Sequence, residues 1–342
     1  MDIKVLTSIP ILSEPRSDNK NFFVIGTHNG IFHSDEVVAI AILCLLNKDK
    51  DIIVVRTRDT DILDKCDICV DIGGGQFDHH QPDFNFIRKN LIPYASAGLV
   101  WHTLGKMLVH DIIMSTFCDL LDYSTLVNLS EKAWKKIDKN LISFVDAEDN
   151  GIDNGVHCFS FISSFLPPWY NSEINFEEAF LNVLDVTIKI LKQKIIQIVG
   201  IVSANTLLFS KWFEGSLEKI ENSENNFLNN IFEIPCQSIP WLDTVIKIND
   251  SVSSLKKNSI YFVIFPYTAG GWAAQCVPPS LEKKFEQIIP FPKEWAGQTD
   301  KLPKISGVPT ATFCHNGRFF ARAKTKEDII KMCMLAIEKN SK

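Results

Sequence analysis

The sequence predicts an α/β protein, with a mostly parallel sheet in an N-terminal domain and a second, smaller mixed α/β domain at the C-terminus. Three observations predict it. Continuous apolar runs recur in the first eighty residues, each of a length suited to a buried strand. A helical pattern separates the first two runs, the rhythm of parallel strands joined by a crossover. Polar clusters rich in His, Asp and Gly follow the runs, at the positions where an open α/β sheet binds ligands.

Asn21–His28 (NFFVIGTH) is the clearest strand. A helix follows over about Asp35–Leu46, its first acidic residues suiting the positive end of the helix dipole. Ile52–Thr57 and Asp67–Ile72 read as two further strands. Helical patterns then cover Ala95–His110 and Ser130–Phe144, with Ser130 as an N-cap, and an acidic turn at 145–153 ends the stretch. The first domain is placed at 1–165 and the second at 166–342, with Pro167 and Pro168 as punctuation.

The second domain opens on a long connecting amphipathic helix, 176–199. In the weakly patterned stretch 210–258, the Asn/Ser/Glu-rich segment 221–230 reads as a loop. Strands return at Ile260–Phe265 and Trp272–Val277, and a Pro-rich passage, 278–309, leads to a closing strand–turn–strand–helix unit. Thr325, three residues before Asp328, starts the last helix in the manner of a capping box.

The 342 residues suffice for a sizeable core, and 46% hydrophobic with 22% charged is an ordinary soluble composition. The net charge of −6 argues against a wide nucleic-acid footprint, because counterion release favours basic surfaces. A short substrate held at a local pocket fits, since bound metal ions reverse the sign of a site. The 24 Phe read as core filler rather than as a stacking platform. Nine scattered Cys, an odd number, point to a reducing compartment. Cys66 and Cys69 lack two further soft ligands at zinc spacing and read as small residues beside a buried strand. The N-terminal stretch is too short in apolar residues for a signal peptide and too poor in Arg for a transit peptide, and no run reaches the length of a membrane span. The expectation is a soluble intracellular protein with no membrane partner.

Four clusters carry chemistry. In the first, His28, His33 and Asp35 lie within eight residues after a buried strand, and Gly30 lets the backbone fold tightly between them. Imidazole with carboxylate suits manganese, zinc or iron, and carboxylate-rich sites also admit magnesium. The second is Asp71 before three glycines; a carboxylate in an apolar strand is costly unless paired or bound to a cation. The third is Asp78-His79-His80, whose adjacent imidazoles point in different directions on an extended chain. The fourth is the acidic run from Asp146 to Asp153, of which one buried Asp can complete a second ion's coordination. Each alone is an ordinary turn. Together, at neighbouring strand ends, they supply donors for two metal ions, the arrangement that activates water in phosphoryl displacement.

The segments GTHNGIFHSDEVVA, VRTRD, CDICVDIGG, FDHHQ, SAGLVW, VDAEDNGI, QCVP and SGVPTATFCHNGRFFARAKTKEDIIKM resemble the melanocyte-proliferating-gene exonuclease family, a branch of the DHH phosphoesterase superfamily. The matches run in order from about residue 22 to 336. The resemblance implies a DHH-like N-terminal domain and a C-terminal substrate-binding domain. It also implies manganese- or magnesium-dependent hydrolysis of phosphodiesters, with members described as 3′-to-5′ exonucleases on RNA and found in nucleus and mitochondrion. By analogy, His28 and His33 hold one ion and Asp35 the other. Asp71 bridges them, His79 and Asp146 complete the second, and His80, with Asp78 of the same motif, acts at the scissile phosphate. Asp149, one turn from Asp146, is the alternative ligand. His33 stands where many superfamily members have Asp, which favours manganese.

In the C-terminal domain His315, Asn316 and Arg318 fall in the segment resembling the superfamily's substrate-binding motif, and Arg318 suits a bidentate grip on phosphate. Two departures stand out. The spacing from Asp71 to Asp78 is short, and Ala321-Arg322 replaces paired glycines, so that Arg322 either narrows the approach or adds a phosphate contact. The expected activity is an exonuclease on RNA or short single-stranded oligonucleotides, with two Mn2+ or Mg2+ ions. A phosphatase for a dinucleotide, nucleoside bisphosphate or pyrophosphate stays open, as do a non-catalytic regulatory protein with a degenerate site and homo-oligomer formation.

Overall fold

The structure, a computed structural model, describes residues 2–7, 22–119, 121–153, 155–168, 175–222, 230–251 and 259–340, with backbone alone over 209–222. The chain divides into two units, 1–199 and 200–342, each described here by itself. Pro167 and Pro168 lie in the first, ahead of the helix in which the division falls.

In the first unit four strands pair in parallel: β1 Ile3–Leu6, β2 Phe22–Thr27, β3 Asp51–Arg56 and β4 Ile68–Cys69, in the order β1-β3-β2-β4. Their side chains explain the pairing, because Ile25, Val54 and Val55 are buried, as a sheet covered on both faces requires. The crossover from β2 is α1 Ser34–Leu46, buried from Ser34 to Cys44; its run VVAIAILC is apolar on every side and suits an interior helix. The short α2 Thr60–Leu63 precedes β4. Since the strands are parallel, the segments that follow β2, β3 and β4 emerge at one edge of the sheet. β1 was not expected from sequence; four residues are too few to stand out, and their register on Ile52–Val55 places them.

The expected helix over 95–110 is interrupted. α3 Ser96–Val100 passes through a π-helical turn, Trp101–Gly105, into α4 Lys106–Phe117. The buried Trp101 ring lies where a side chain at Gly105 would project, with Cδ2 only 2.5 Å from an ideal Cβ there. α5 Tyr123–Ile137 starts earlier than expected, because Asp122 caps it by accepting from the Thr125 N–H at 3.0 Å. Ser130 lies inside that helix, donating to the Leu126 carbonyl. After a second π turn, Asp138–Ile142, the expected acidic turn at 145–153 is helical only through Asp149, the end of α6 Ser143–Asp149. It closes in a Schellman arrangement, with Gly151 at φ 69° and the Ile152 N–H returning to the Ala147 carbonyl at 2.8 Å. α7 Phe176–Asn222 extends well past the expected end at 199. Residues 223–229 of the expected loop lie outside the described residues.

The second unit holds a mixed sheet of β5 Ile231–Glu233, β6 Phe262–Pro266, β7 Trp272–Cys276, β8 Ala311–Cys314 and β9 Phe320–Ala323, ordered β5-β6-β7-β9-β8. Only the β5–β6 pair is parallel. Helix α8 Leu242–Ser251 covers part of one face with Val245 and Ile248. Helices α9 Leu302–Ser306 and α10 Lys326–Asn340 close the other with Leu302, Ile329, Met332, Cys333 and Ala336. At the α10 start Thr325 accepts from the Asp328 N–H, but the Asp328 carboxylate turns to the Thr310 N–H, so only half a capping box forms. Among the described residues, no helix is long and apolar enough to cross a membrane.

Candidate metal centre

The centre is built around Asp71. Just past β4 its backbone takes φ 60°, the left-handed region that few non-glycine residues enter, and Gly73 and Gly74 continue the turn at φ 89° and 67°. This bend sets the carboxylate between two imidazoles: Oδ2 lies 3.3 Å from His28 Nε2, and Oδ1 lies 3.2 Å from His79 Nε2. Burial opposes ionisation of Asp71, but the imidazoles of His28 and His79 outweigh it and hold its carboxyl below the usual range. Such a position costs backbone strain and persists where surrounding groups fix it.

On one side of Asp71 stand His28, His33 and Glu36, on the other Asp35, His79 and Asp149, and within each set the ligand-type atoms can gather within 4.8 Å of one another. His28 Nε2 also lies 3.3 Å from Glu36 Oε1. Burial works against a charged His28, yet Asp71 and Glu36 push its pKa up to about 10. Glu36 is buried and accepts from the His33 N–H at 3.0 Å, which fixes both at the start of α1. His33 is half exposed, its Nδ1 4.0 Å from Glu36.

Asp35 is fully buried, and its two oxygens accept from the Ser96 and Ala97 N–H groups at 2.8 and 2.6 Å, at the start of α3. Burial, with the Asp71 and Asp149 carboxylates, raises its pKa well above the usual range. His79 Nε2 lies 3.2, 3.3 and 3.9 Å from oxygens of Asp71, Asp149 and Asp35, and makes a hydrogen bond to none. A buried ring nitrogen that makes no hydrogen bond, facing three crowded carboxylates, is the arrangement a cation relieves. These donors fit a divalent ion on chemical grounds, and nitrogen with carboxylate oxygen suits manganese and zinc as well as magnesium.

Asp78 shapes the loop rather than joining either set. Its carboxylate accepts from the Gly74 N–H at 2.8 Å and the His80 N–H at 3.1 Å, and lies 2.9 Å from His80 Nδ1. His80 is largely exposed, with Nδ1 3.4 Å from Asp71, and forms a third such group with Asp71 and His79. Asp146 sits outside both sets: Oδ1 accepts from the Gly98 N–H at 2.9 Å and Oδ2 from Arg88 Nε at 2.7 Å. Gly98 permits this approach, since a Cβ there would fall 2.1 Å from Oδ2.

His28, His33, Asp71, Asp78, His79, His80 and Asp149 face a cavity of about 760 Å³ within the first unit. Arg58 is the Lys or Arg on its wall among the described residues, and Ile31, Phe159, Ile162 and Leu166 form an apolar side. Arg56, buried between the rings of Phe180 and Phe32, donates from Nη2 to the Gly30 carbonyl at 2.7 Å and anchors the loop joining His28 to His33. Sequence reasoning overlooked Glu36, Arg56, Arg58 and Arg88. Glu36 is visible beside Asp35, and of the two arginines of VRTRD Arg56 ends β3 and Arg58 follows it; Arg88 carries no local signal.

The four residues resembling a substrate motif belong to the second unit. His315 and Asn316 form the exposed β8–β9 turn, where His315 Nδ1 accepts from the Gly317 N–H at 2.9 Å. Arg318 takes φ 57° and donates to the Phe291 carbonyl. Arg322 stacks on Tyr267 at 4.0 Å. Lys326 pairs with Glu233.

The profile of the MYG1 exonuclease family, described as an uncharacterised protein family (UPF0160), matches residues 24–337. A human protein named MYG1 exonuclease is 28% identical, over 93% of this chain and 86% of its own length. Its mouse namesake is 30% identical, over 90% and 83%. A MYG1 protein of Schizosaccharomyces pombe is 27% identical, over 93% and 98%. No solved structure gives a significant match.

Proposed function

This chain belongs to the MYG1 exonuclease family, and from that premise we propose that it is a metal-dependent phosphodiesterase of the DHH superfamily, an exonuclease on RNA or short single-stranded oligonucleotides working in the 3′-to-5′ direction. The observation that carries the reading is the buried His79 Nε2, without a hydrogen bond, among the carboxylates of Asp35, Asp71 and Asp149. The relatives named as exonucleases supply the substrate class.

His28, His33, Glu36 and Asp71 would hold one ion, and Asp35, His79 and Asp149 the other, with Asp71 also available to the second from its place beside His79. Two bound divalent ions supply an activated water and charge stabilisation at the phosphoryl oxygens. Three imidazoles in the set favour manganese over magnesium. His80 lies exposed at the cavity beside Asp71 and is oriented by Asp78, which supports its giving a hydrogen bond to the scissile phosphate. Arg58 binds a phosphate oxygen of the same substrate, a charge-assisted contact. The apolar side formed by Ile31, Ile162 and Leu166 accommodates a base or ribose.

A small-molecule phosphatase is the second reading, favoured by a cavity wall on which, among the described residues, Arg58 is the only Lys or Arg, beside carboxylates, imidazoles, serines and apolar groups. The test is a five-nucleotide RNA, labelled at either end, with manganese and purified protein, beside pyrophosphate and a nucleoside bisphosphate. Stepwise shortening from the 3′ end, abolished in Asp71→Asn and His79→Ala, is the expected result. Turnover of the small phosphates alone moves the assignment to the second reading, and full activity in either variant overturns both.

A further inference from the structure

Cys66 and Cys69 stand where the chain leaves α2 and enters β4, and Cys69 is the last residue of that strand. They lie beside a strand, as the sequence suggests, but their sulfurs share one place. Gly26 of β2 pairs with Cys69, and a Cβ at Gly26 would fall 2.8 Å from Cys69 Sγ and 3.1 Å from Cys66 Sγ. A glycine is thus required in mid-strand because two sulfurs converge over its α-carbon. The two thiols interact side chain to side chain. Cys66 Sγ also lies 3.7 Å from the Ile62 carbonyl and Cys69 Sγ 3.5 Å from the Leu63 carbonyl, weak contacts that cost little to lose. Both residues are half-buried and within reach of a small reagent, whereas Cys44, Cys276, Cys314 and Cys333 are buried.

Cys69 also bears on the metal centre. Asp71 follows two residues later, and Gly73, in the left-handed turn, folds back so that a Cβ there would lie 3.8 Å from Cys69 Cβ. β4 pairs with β2 at Ile68 and Cys69, a strand of two residues. A displacement of Cys69 is therefore passed to the turn that sets Asp71 between His28 and His79. A disulfide holds its sulfurs about 2 Å apart, closer than two thiols can come. Forming one here draws Cys66 and Cys69 together and shifts the end of β4.

We propose that Cys66 and Cys69 are a reversible disulfide site, a redox switch whose oxidation displaces Asp71 and weakens the metal centre. The co-reactant is a low-molecular-weight disulfide. One cysteine thiolate attacks it and releases a small thiol; the other attacks the mixed disulfide so formed and releases the second. Two electrons pass from the cysteine pair to the small disulfide, and the two cysteine protons end on the released thiols. In a reducing compartment such a pair rests as thiols and closes only when small disulfides accumulate. The effect on the ions rests on reading the centre as a metal site; the disulfide does not.

The test treats the full chain with oxidised glutathione, maps its tryptic peptides without reductant, and measures manganese affinity by calorimetry before and after. Peptide 66–88, which holds both cysteines, is expected to lose the mass of two hydrogens. Manganese affinity is expected to fall about tenfold, the scale of disturbing a support of a metal ligand, and dithiothreitol to reverse both changes. The double variant Cys66→Ser/Cys69→Ser is expected to keep its affinity under the same treatment, which separates the pair from the exposed Cys118 and Cys236. Absence of the cross-link, glutathione adducts alone on this peptide, a cross-link that leaves affinity unchanged, or an equal loss in the double variant overturns the switch. A cross-link in a protein that binds no manganese in either form overturns the metal reading and leaves the disulfide site standing.

Discussion

Arg88 Nε lies 2.7 Å from Asp146 Oδ2, and both side chains are buried. Arg88 also pairs with Asp138 and stacks on Tyr94 at 4.2 Å, while the second oxygen of Asp146 is bonded to the Gly98 N–H. Both oxygens of Asp146 are thus engaged by protein donors. The two amides just ahead, those of Ser96 and Ala97, hold Asp35. The start of one short helix therefore ties a carboxylate of the candidate metal centre to a buried ion pair, and the two acids have different partners.

Asp146→Asn is expected to lower stability by about 3 kcal/mol, the scale of a broken buried ion pair, and to leave two manganese ions bound. Asp149→Asn is expected to lose one ion with little change in the metal-free protein, because burial already raises the Asp149 pKa and its charge adds little stability there. Denaturant unfolding in EDTA and manganese calorimetry check the pair. Intact stability with one ion missing in Asp146→Asn would return the ligand role to Asp146.

The pH dependence follows from His28. In the metal-free protein its pKa is raised from 6.5 to about 10, so the folded state holds the proton more tightly than the unfolded one. Its contribution to stability is complete below about pH 6.5 and is lost as pH rises through about 10. Manganese needs the neutral imidazole and displaces that proton, so affinity moves the opposite way and climbs across the same window. Calorimetry in buffers of different ionisation enthalpy is expected to show proton release on binding near pH 7. An affinity independent of pH over that window contradicts the assignment.

The strand–helix–strand core was legible because its apolar runs are long: β2, α1 and β3 follow the expected positions within a residue or two. β4 was expected to run to Ile72, but pairing stops at Cys69 and the chain turns left-handed at Asp71. The functional bend that places Asp71 is the reason the strand is short. Chemical types within a motif were readable, so the donors at 28, 33, 35, 71 and 79 could be singled out. Distances across the sequence were not: whether Asp146 or Asp149 reaches His79 depends on Arg88, 58 residues away from Asp146, and on a glycine at 98. The sequence shows Glu36 only as an acidic residue at a helix start, since the approach of His28 to it is set by how α1 docks.

Arg58 offers a charge to substrate without taking part in either metal set. Arg58→Ala is expected to raise KM for an oligonucleotide about tenfold, on the scale of one lost charge-assisted hydrogen bond, with kcat less affected and manganese binding unchanged. Steady-state kinetics beside calorimetry separate these. A fall in kcat alone, at unchanged KM, would mean that Arg58 acts only once the reaction is under way.

Arg56 acts one step further from the chemistry. Its guanidinium is 4.5 Å from the Phe180 centroid and 5.6 Å from that of Phe32, and its bond to the Gly30 carbonyl holds the turn between His28 and His33, where Gly30 sits at φ 85°. Its positive charge also faces Glu36. Arg56→Met keeps most of the buried volume but frees the turn and leaves Glu36 less compensated, which strengthens the hold of His28 on its proton. Affinity for the ion held by His28 and His33 is therefore expected to fall about tenfold, the scale of losing a supporting contact to a metal ligand, while the other ion is unaffected. Arg56→Lys, which keeps the charge without the planar fork, is expected to recover only part of the loss. Two-site manganese titrations of the three proteins check this, and equal weakening of both ions would show that Arg56 supports the whole sheet edge rather than the loop.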